Sequence, residues 1–242
     1  MTKLFGIRIH LFLAVLIAPL LAGCAATQAT HDYAAALANP ERPDAERQLD
    51  AARKPAEVLA FYGVKKGDRA VDIWAGRGYY TAILSQVVGP TGLVYSANPS
   101  LRPELAERWK KPGYENIRPI DGAVDKIALP QDGSLDFLLI HLNYHDLSPA
   151  ERATLNQRTF AALKRGGVYG VVDHSAKEGS GDEAVKTLHR IDKLLVIKEV
   201  GAAGFRLAKE GNMLSKPEDK RDFNVNKVRN QDDRFVLAFQ KP

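Results

Sequence analysis

The sequence predicts an α/β domain: a twisted, mostly parallel sheet with helices on both faces. From residue 69 onward, apolar strand-like runs alternate with helical patterns, the mark of strand–helix–strand units with right-handed crossovers. The run LDFLLIHL, Leu135 to Leu142, is nearly continuous in apolar residues, as a central strand buried on both faces requires. Five consecutive strands end in polar residues, at the edge where such sheets collect ligands.

Each element has its own local reason. Ala45 to Tyr62 has a helical pattern with Leu49, Val58, Leu59 and Phe61 available to a core, and Pro55 should split it because proline lacks the N–H that a helix interior needs. Gly63 to Asp68 turns into a strand at Arg69 to Ile73, followed by a helix at Gly78 to Val88 and a strand at Leu93 to Ala97. A helix at Pro103 to Trp109 and a short strand at Ile117 to Ile120 precede the central strand. Ser148-Pro149-Ala150-Glu151 supplies an N-cap, a first-turn proline and a capping-box glutamate for a helix expected to end at Gly166-Gly167. Val168 to Val172 is the next strand, Asp182 to Ala203 is helical, and Phe205 to Leu214 and Arg234 to Gln240 are the last strands.

The N-terminus reads as an address. Lys3 and Arg8 precede the apolar run LFLAVLIAPLLAG, which is short for a membrane span and turns polar at Thr27, so a cleaved signal peptide over residues 1–23 is expected. Its end, Leu21-Ala22-Gly23-Cys24, resembles the bacterial lipobox, which implies acylation of Cys24, the only cysteine in the chain, and, with Ala25 following, an outer-membrane anchor facing the periplasm. Disulfide and thiol chemistry are thereby excluded from the mature chain. Residues 24–43 are expected to form a tether and 44–242 a single domain. A formal charge of +5, from 34 basic and 29 acidic residues without a long basic run, argues against nucleic acid as a partner.

The strand ends carry Asp72 to Gly78, Asn98, Asp121 to Asp125, Asn143 to Asp146, and Asp173-His174. With the segments RKPAEVLAFYGVKKGDRAVDIWAGRGYYTAILSQVVGPTGLVY, LNYHDL, LKRGGVYGVVDHS, AAGFRL and DRFVLAFQKP in this order, the chain from Arg53 to Pro242 resembles the class I S-adenosylmethionine-dependent methyltransferases, and most closely a group of predicted bacterial methyltransferases. The resemblance implies a Rossmann-like three-layer α/β/α sandwich whose seven-stranded sheet has the order 3-2-1-4-5-7-6 with strand 7 antiparallel. It also implies S-adenosylmethionine as cofactor and a small-molecule substrate.

The resemblance further assigns Gly76 and Gly78 to the turn whose backbone amides approach the methionyl part of the cofactor, and Asp72 to the acid that positions its ammonium. Trp74 stands where a third glycine is usual, and Asn98 where an acid normally accepts both ribose hydroxyls; Asn offers one acceptor oxygen and a donor amide instead. Asp125 fits the adenine position, with Asp121 as the competing choice. Asn143, Tyr144, His145 and Asp146 are expected to face the reacting methyl, with His145 as a base if the acceptor must lose a proton. Equally open is that His145 and Asp146 merely cap the helix at Ser148. No metal site is assigned: Asp146, Asp173, His145 and His174 share neighbouring strand ends, but no dense ligand motif joins them. His141 reads as a satisfied core or loop histidine and His189 as a helix-surface residue.

Location and fold pull apart, because S-adenosylmethionine is made in the cytoplasm and a lipoprotein domain lies outside it. Three functions follow: a methyltransferase for a small molecule or envelope component, a non-catalytic lipid-anchored binding protein with a degenerate methyltransferase fold, and a lipid-anchored scaffold.

Overall fold

A computed structural model describes residues 1–2, 33–100 and 102–242. The apolar leader and Cys24 lie outside the described residues. Seven strands form one sheet in the order β3-β2-β1-β4-β5-β7-β6: β1 Arg69–Ile73, β2 Leu93–Ala97, β3 Ile117–Pro119, β4 Leu135–His141, β5 Leu163–His174, β6 Arg206–Gly211 and β7 Arg234–Gln240. β1 pairs in parallel with β2 and β4, and β4 with β5, whereas β7 runs antiparallel between β5 and β6. The expected order and the inserted last strand are both present.

The central strand shows why its sequence is apolar throughout. Phe137 and Leu139 point into one core cluster with Leu59, Ile83 and Val172, and Leu138 and Ile140 into the other with Val71, Leu155 and Val196. Each such fully buried side chain contributes roughly 1.5–3 kcal/mol. The second face is covered by Pro149–Ala162 and Lys193–Ala202, the first face by Pro55–Tyr62 and Tyr79–Val88.

Proline and caps set the helix boundaries. The helical lead-in breaks into α1 Asp44–Arg47, α2 Asp50–Arg53 and α3 Pro55–Tyr62, with Lys54 in the left-handed region at φ 41° and Pro55 in the first turn of α3. The helix Tyr79–Val88 is α4 and Pro103–Arg108 is α5. Ser148 caps α6, Pro149–Ala162, through a complete capping box: the Glu151 amide donates to its hydroxyl and its own amide donates to the Glu151 carboxylate.

Three expectations are corrected. The helix α6 stops at Ala162 rather than at the glycines; Leu163 already pairs with Leu135, and the bulge to the Phe137–Val168 pair absorbs Lys164 to Gly167. The helical stretch expected from Asp182 to Ala203 is two helices, α7 Val185–Leu188 and α8 Lys193–Ala202, the second capped by the Asp192 carboxylate. The part of the expected tether that is described, residues 33–43, is folded onto the domain. Residues 33–37 are helical, the Tyr33 hydroxyl donates to the Val64 and Leu59 carbonyls, and Arg42 pairs with Asp50 at 2.6 Å. A buried tyrosine and a buried arginine were hidden in a segment whose alanines and prolines look unstructured.

Among the described residues, no helix is long and apolar enough to cross a membrane.

Candidate functional site

A cavity of about 630 Å³ opens at the carboxyl ends of β1 and β4, within the range of small-molecule sites. Its floor is Asp72, Gly76 and Tyr80 on one side and His141, Asn143 and His174 on the other; its roof is α1, α2 and the 225–230 loop. One ion pair and one tyrosine hydrogen bond hold the roof down. Arg108 grips Glu46 with two hydrogen bonds of 2.5 and 3.0 Å, and Asp50 accepts from both Arg42 and the Tyr79 hydroxyl.

The turn after β1 has the conformation its glycines suggest. Gly76 and Gly78 lie at φ 61° and 83°, and a Cβ on Gly78 would sit 2.6 Å from the Trp109 ring, so only glycine fits there. Trp74 also lies in the left-handed region, at φ 53°, a conformation that costs a bulky residue about 1–3 kcal/mol. Its indole packs against the second core cluster and lines the cavity without closing it; the ring N–H finds no protein acceptor among the described residues.

The amides of the turn are not presented to the cavity in the way the resemblance implies. Ala75 N–H donates to the Ala97 carbonyl, Gly78 N–H to the Ala75 carbonyl, and Gly76 N–H to the Asn98 side-chain oxygen at 2.9 Å. Asn98 is therefore a buried brace of the turn, its acceptor oxygen engaged by the Gly76 amide, and it lines a recess of only about 10 Å³ beside Asp121, Leu105 and Trp109. Asp125 lies on an exposed turn and lines neither space, so of the two candidate acids Asp121 is the one near a cleft.

Side chains supply the charges instead. Asp72 is buried against the cavity and accepts from the Thr81 hydroxyl at 2.7 Å; burial raises its pKa to about 7, although Thr81 and Arg53 oppose the shift. Arg53 lies over the Tyr79 ring at 4.5 Å, and among the described residues its guanidinium has no hydrogen bond or ion pair. Burial lowers its pKa, with the two tyrosines opposing.

The HLNYHD segment splits in a way that local sequence does not reveal. Leu142 takes φ 60°, and of the four residues that follow only Asn143 lines the cavity. Tyr144 is fully buried in the second core, where its hydroxyl donates to Glu199 at 2.9 Å and accepts from Asn156; it is structural. His145 is turned away from the cavity. Its Nδ1 lies 2.7 Å from Asp173 and its Nε2 3.3 Å from Asp146. Burial works against its charge, but the two carboxylates outweigh it and push the pKa up to about 10, so near neutral pH the ring is an imidazolium with no lone pair for a base. Asp146 is half-exposed, accepts from Asn143, and has a lowered pKa as burial is outweighed by His145. It does not cap α6, which Ser148 does.

Two histidines line the cavity, His141, which reads as bland in the sequence, and His174, one of the strand-end residues. His141 packs against Tyr80 with ring centroids 4.7 Å apart and the rings tilted, its Nε2 is buried without a partner among the described residues, and burial with the nearby arginines holds it neutral. His174 pairs with Asp232 through Nδ1 at 2.5 Å, and Asp232 is gripped in turn by Arg234 through two bonds of 2.7 and 2.9 Å. His189 is not on a helix surface but follows α7 at φ 54°, 3.8 Å from Asp146. Arg53, His141, Asp232 and Arg234 are among the cavity residues that sequence reasoning did not single out as functional. Arg53 opens the resembling stretch, and an acidic pair directly before the last strand was the available signal for Asp232.

Known proteins share this architecture. A family model described as Protein-L-isoaspartate(D-aspartate) O-methyltransferase (PCMT) matches residues 34–123, from the roof helices through β3 and not β4. The protein-L-isoaspartate O-methyltransferase of Ignicoccus hospitalis is 30% identical over 80 residues, 32% of this chain and 38% of that protein. A demethylmenaquinone methyltransferase of Staphylococcus aureus is 36% identical over 84 residues, 34% of each protein. The chain thus spans about a third of the length of these curated relatives. Among solved structures, a SAM-dependent methyltransferase from Aquifex aeolicus superposes with a TM-score of 0.60 at 21% identity, covering 83% of this chain and 99% of that one. The fold is the Rossmann-like methyltransferase fold.

Proposed function

We propose that this chain is an S-adenosylmethionine-dependent methyltransferase for a small molecule or an envelope component, held to the cell envelope by a lipid on Cys24. The observation that carries the reading is the cavity at the carboxyl ends of β1 and β4, with an uncommitted guanidinium and a buried carboxylate on the cofactor side and histidines on the other. The matches over the first half of the sheet and the fold as a whole support S-adenosylmethionine as the ligand.

Arg53 would take the methionyl carboxylate and Asp72 the ammonium, in place of the Ala75, Gly76 and Gly78 amides, which are already paired. The bound cofactor supplies a sulfonium methyl for in-line displacement, so the protein's task is mainly positioning. Asn143 would orient the acceptor. His141, neutral and with a free ring nitrogen among the described residues, would accept a hydrogen bond from the acceptor group in place of His145.

Calorimetric titration with S-adenosylmethionine and S-adenosylhomocysteine tests this. Saturable one-to-one binding is expected, weakened roughly 10- to 100-fold by Arg53→Ala, as for loss of a charged hydrogen bond. Because Asp72 holds its proton up to about pH 7, binding should weaken below that pH, and Asp72→Asn should flatten the dependence. Absence of binding at millimolar ligand by the folded protein would end the reading.

One observation favours the second reading, a binding protein without catalysis: the recess beside Asn98 is nearly closed by Leu105 and Trp109. It predicts that methylated product never forms even where the cofactor binds. The lipid anchor is tested by itself: Cys24→Ser should move the protein from the membrane to the soluble fraction, and an unchanged membrane fraction would refute it.

A further inference from the structure

We infer that His145, Asp146 and His189 form a binding site for one divalent transition-metal ion of the zinc type, beside the cavity rather than in it. One nitrogen of each histidine and one oxygen of Asp146 lie within 4.8 Å of one another. His145 Nε2 is 3.3 Å and His189 Nδ1 3.8 Å from the same Asp146 oxygen. Bonds of about 2.0–2.2 Å in a tetrahedron place ligand atoms roughly 3.3–3.5 Å apart, so one edge is already at that spacing. The other two edges, within 4.8 Å, would close by rotation of the His189 ring, about a third of which is exposed.

The surrounding groups are those that a metal site needs. Asp173, wholly buried, faces His145 Nδ1 at 2.7 Å and accepts the His145 backbone N–H at 2.8 Å, which fixes the ring with Nε2 toward Asp146; the ion would take the place of the proton that the imidazolium carries on Nε2 and release it to solvent. A ligating histidine whose second ring nitrogen donates to a carboxylate is the usual arrangement around zinc. Asn143 donates to the other oxygen of Asp146, at 3.2 Å, and so turns the first toward the two rings. Asp146 and His189 are each more than a third exposed, which gives an ion a path from solvent.

Two imidazoles and one carboxylate suit zinc and its first-row neighbours, not magnesium or calcium, which take oxygen ligands. Three protein ligands leave a fourth position to water. The ion would clip the 143–146 loop to the residue that follows α7, and thereby hold Asn143, which lines the cavity. The site does not depend on the methyltransferase reading, since it needs no cofactor.

The test uses the full chain, stripped with a chelator and titrated with zinc by calorimetry and with cobalt by visible absorption. One equivalent should bind, and millimolar magnesium should not compete. His189→Ala and Asp146→Ala should each weaken zinc binding at least about 100-fold, and Asn143→Ala about tenfold, with unchanged circular dichroism. The inference is overturned if the folded wild-type chain shows no saturable zinc binding at micromolar concentrations, or if both His189→Ala and Asp146→Ala bind as tightly as wild type. Either result would leave the cluster as a plain ion-pair network.

Discussion

Asp173→Ala is expected to lower the unfolding free energy by about 3–5 kcal/mol, the cost of removing one partner from a buried ion pair. The carboxylate is fully buried at the end of β5 and accepts three times: from the His145 ring, from the His145 amide at 2.8 Å and from the His174 amide at 2.8 Å. Alanine leaves two amides and an imidazolium without that acceptor, and Asp146, half-exposed, cannot replace it. The pH dependence gives the sign. With its pKa raised from 6.5 to about 10, His145 contributes stability that is complete below pH 6.5 and is lost as pH rises through about 10. For Asp173 the shift is downward: burial opposes its charge and His145 outweighs burial, so its contribution is present above 3.8 and disappears on acidification below that. Denaturation at a series of pH values should therefore show wild-type stability falling between pH 6.5 and 10, and a much shallower slope in the variant. Equal slopes would remove His145 as the titrating group.

The second large effect is expected at the turn after β1. Gly78→Val places a β-branched residue at φ 83° and a Cβ 2.6 Å from the Trp109 ring, with Leu105 at 3.3 Å. The backbone contribution is about 1–3 kcal/mol and the overpacking another 1–3 kcal/mol. Chemical denaturation should show a loss of about 2–6 kcal/mol, accompanied by loss of cofactor binding as α5 is forced away. The two contributions separate in a cycle. With Trp109→Leu in the background, Gly78→Ala should cost only its backbone part, whereas in wild type it should cost both. An Ala variant as stable as wild type would mean that Trp109 does not rest on the turn.

Local physics accounts for what was readable in the sequence. The apolar alternation, Pro55 and the Ser148 capping box depend on neighbours in the chain, and the observed elements follow them to within a few residues, except at the bulge after Leu163 and where the stretch from Asp182 to Ala203 divides into two helices. The site was less legible, because its decisive partners are distant in sequence. Tyr144 looks like part of a polar motif, yet Glu199 on α8 and Asn156 on α6 draw it into the core. His145 resembles a base until Asp173, from the next strand, makes it a cation. Asn98 was expected to be a weakened ribose acceptor, and its oxygen instead holds the Gly76 amide. Residues 33–43 have the composition of a tether, but the Tyr33 hydroxyl and the Arg42 guanidinium are held by the Val64 carbonyl and the Asp50 carboxylate of the folded domain. Arg53 gains its meaning in the same way: α2 carries it over Tyr79 and into the cavity.

The central claim is that an adenosyl amino acid lies between α2 and the turn after β1. A crystal structure of the protein grown with saturating S-adenosylhomocysteine tests it most directly. The account predicts the amino acid end between Arg53 and Asp72, the sulfur facing His141 and Asn143, and the nucleoside toward Leu105 and Arg108. An empty cavity with the Glu46–Arg108 pair unmoved, or the ligand bound elsewhere on the chain, would contradict it.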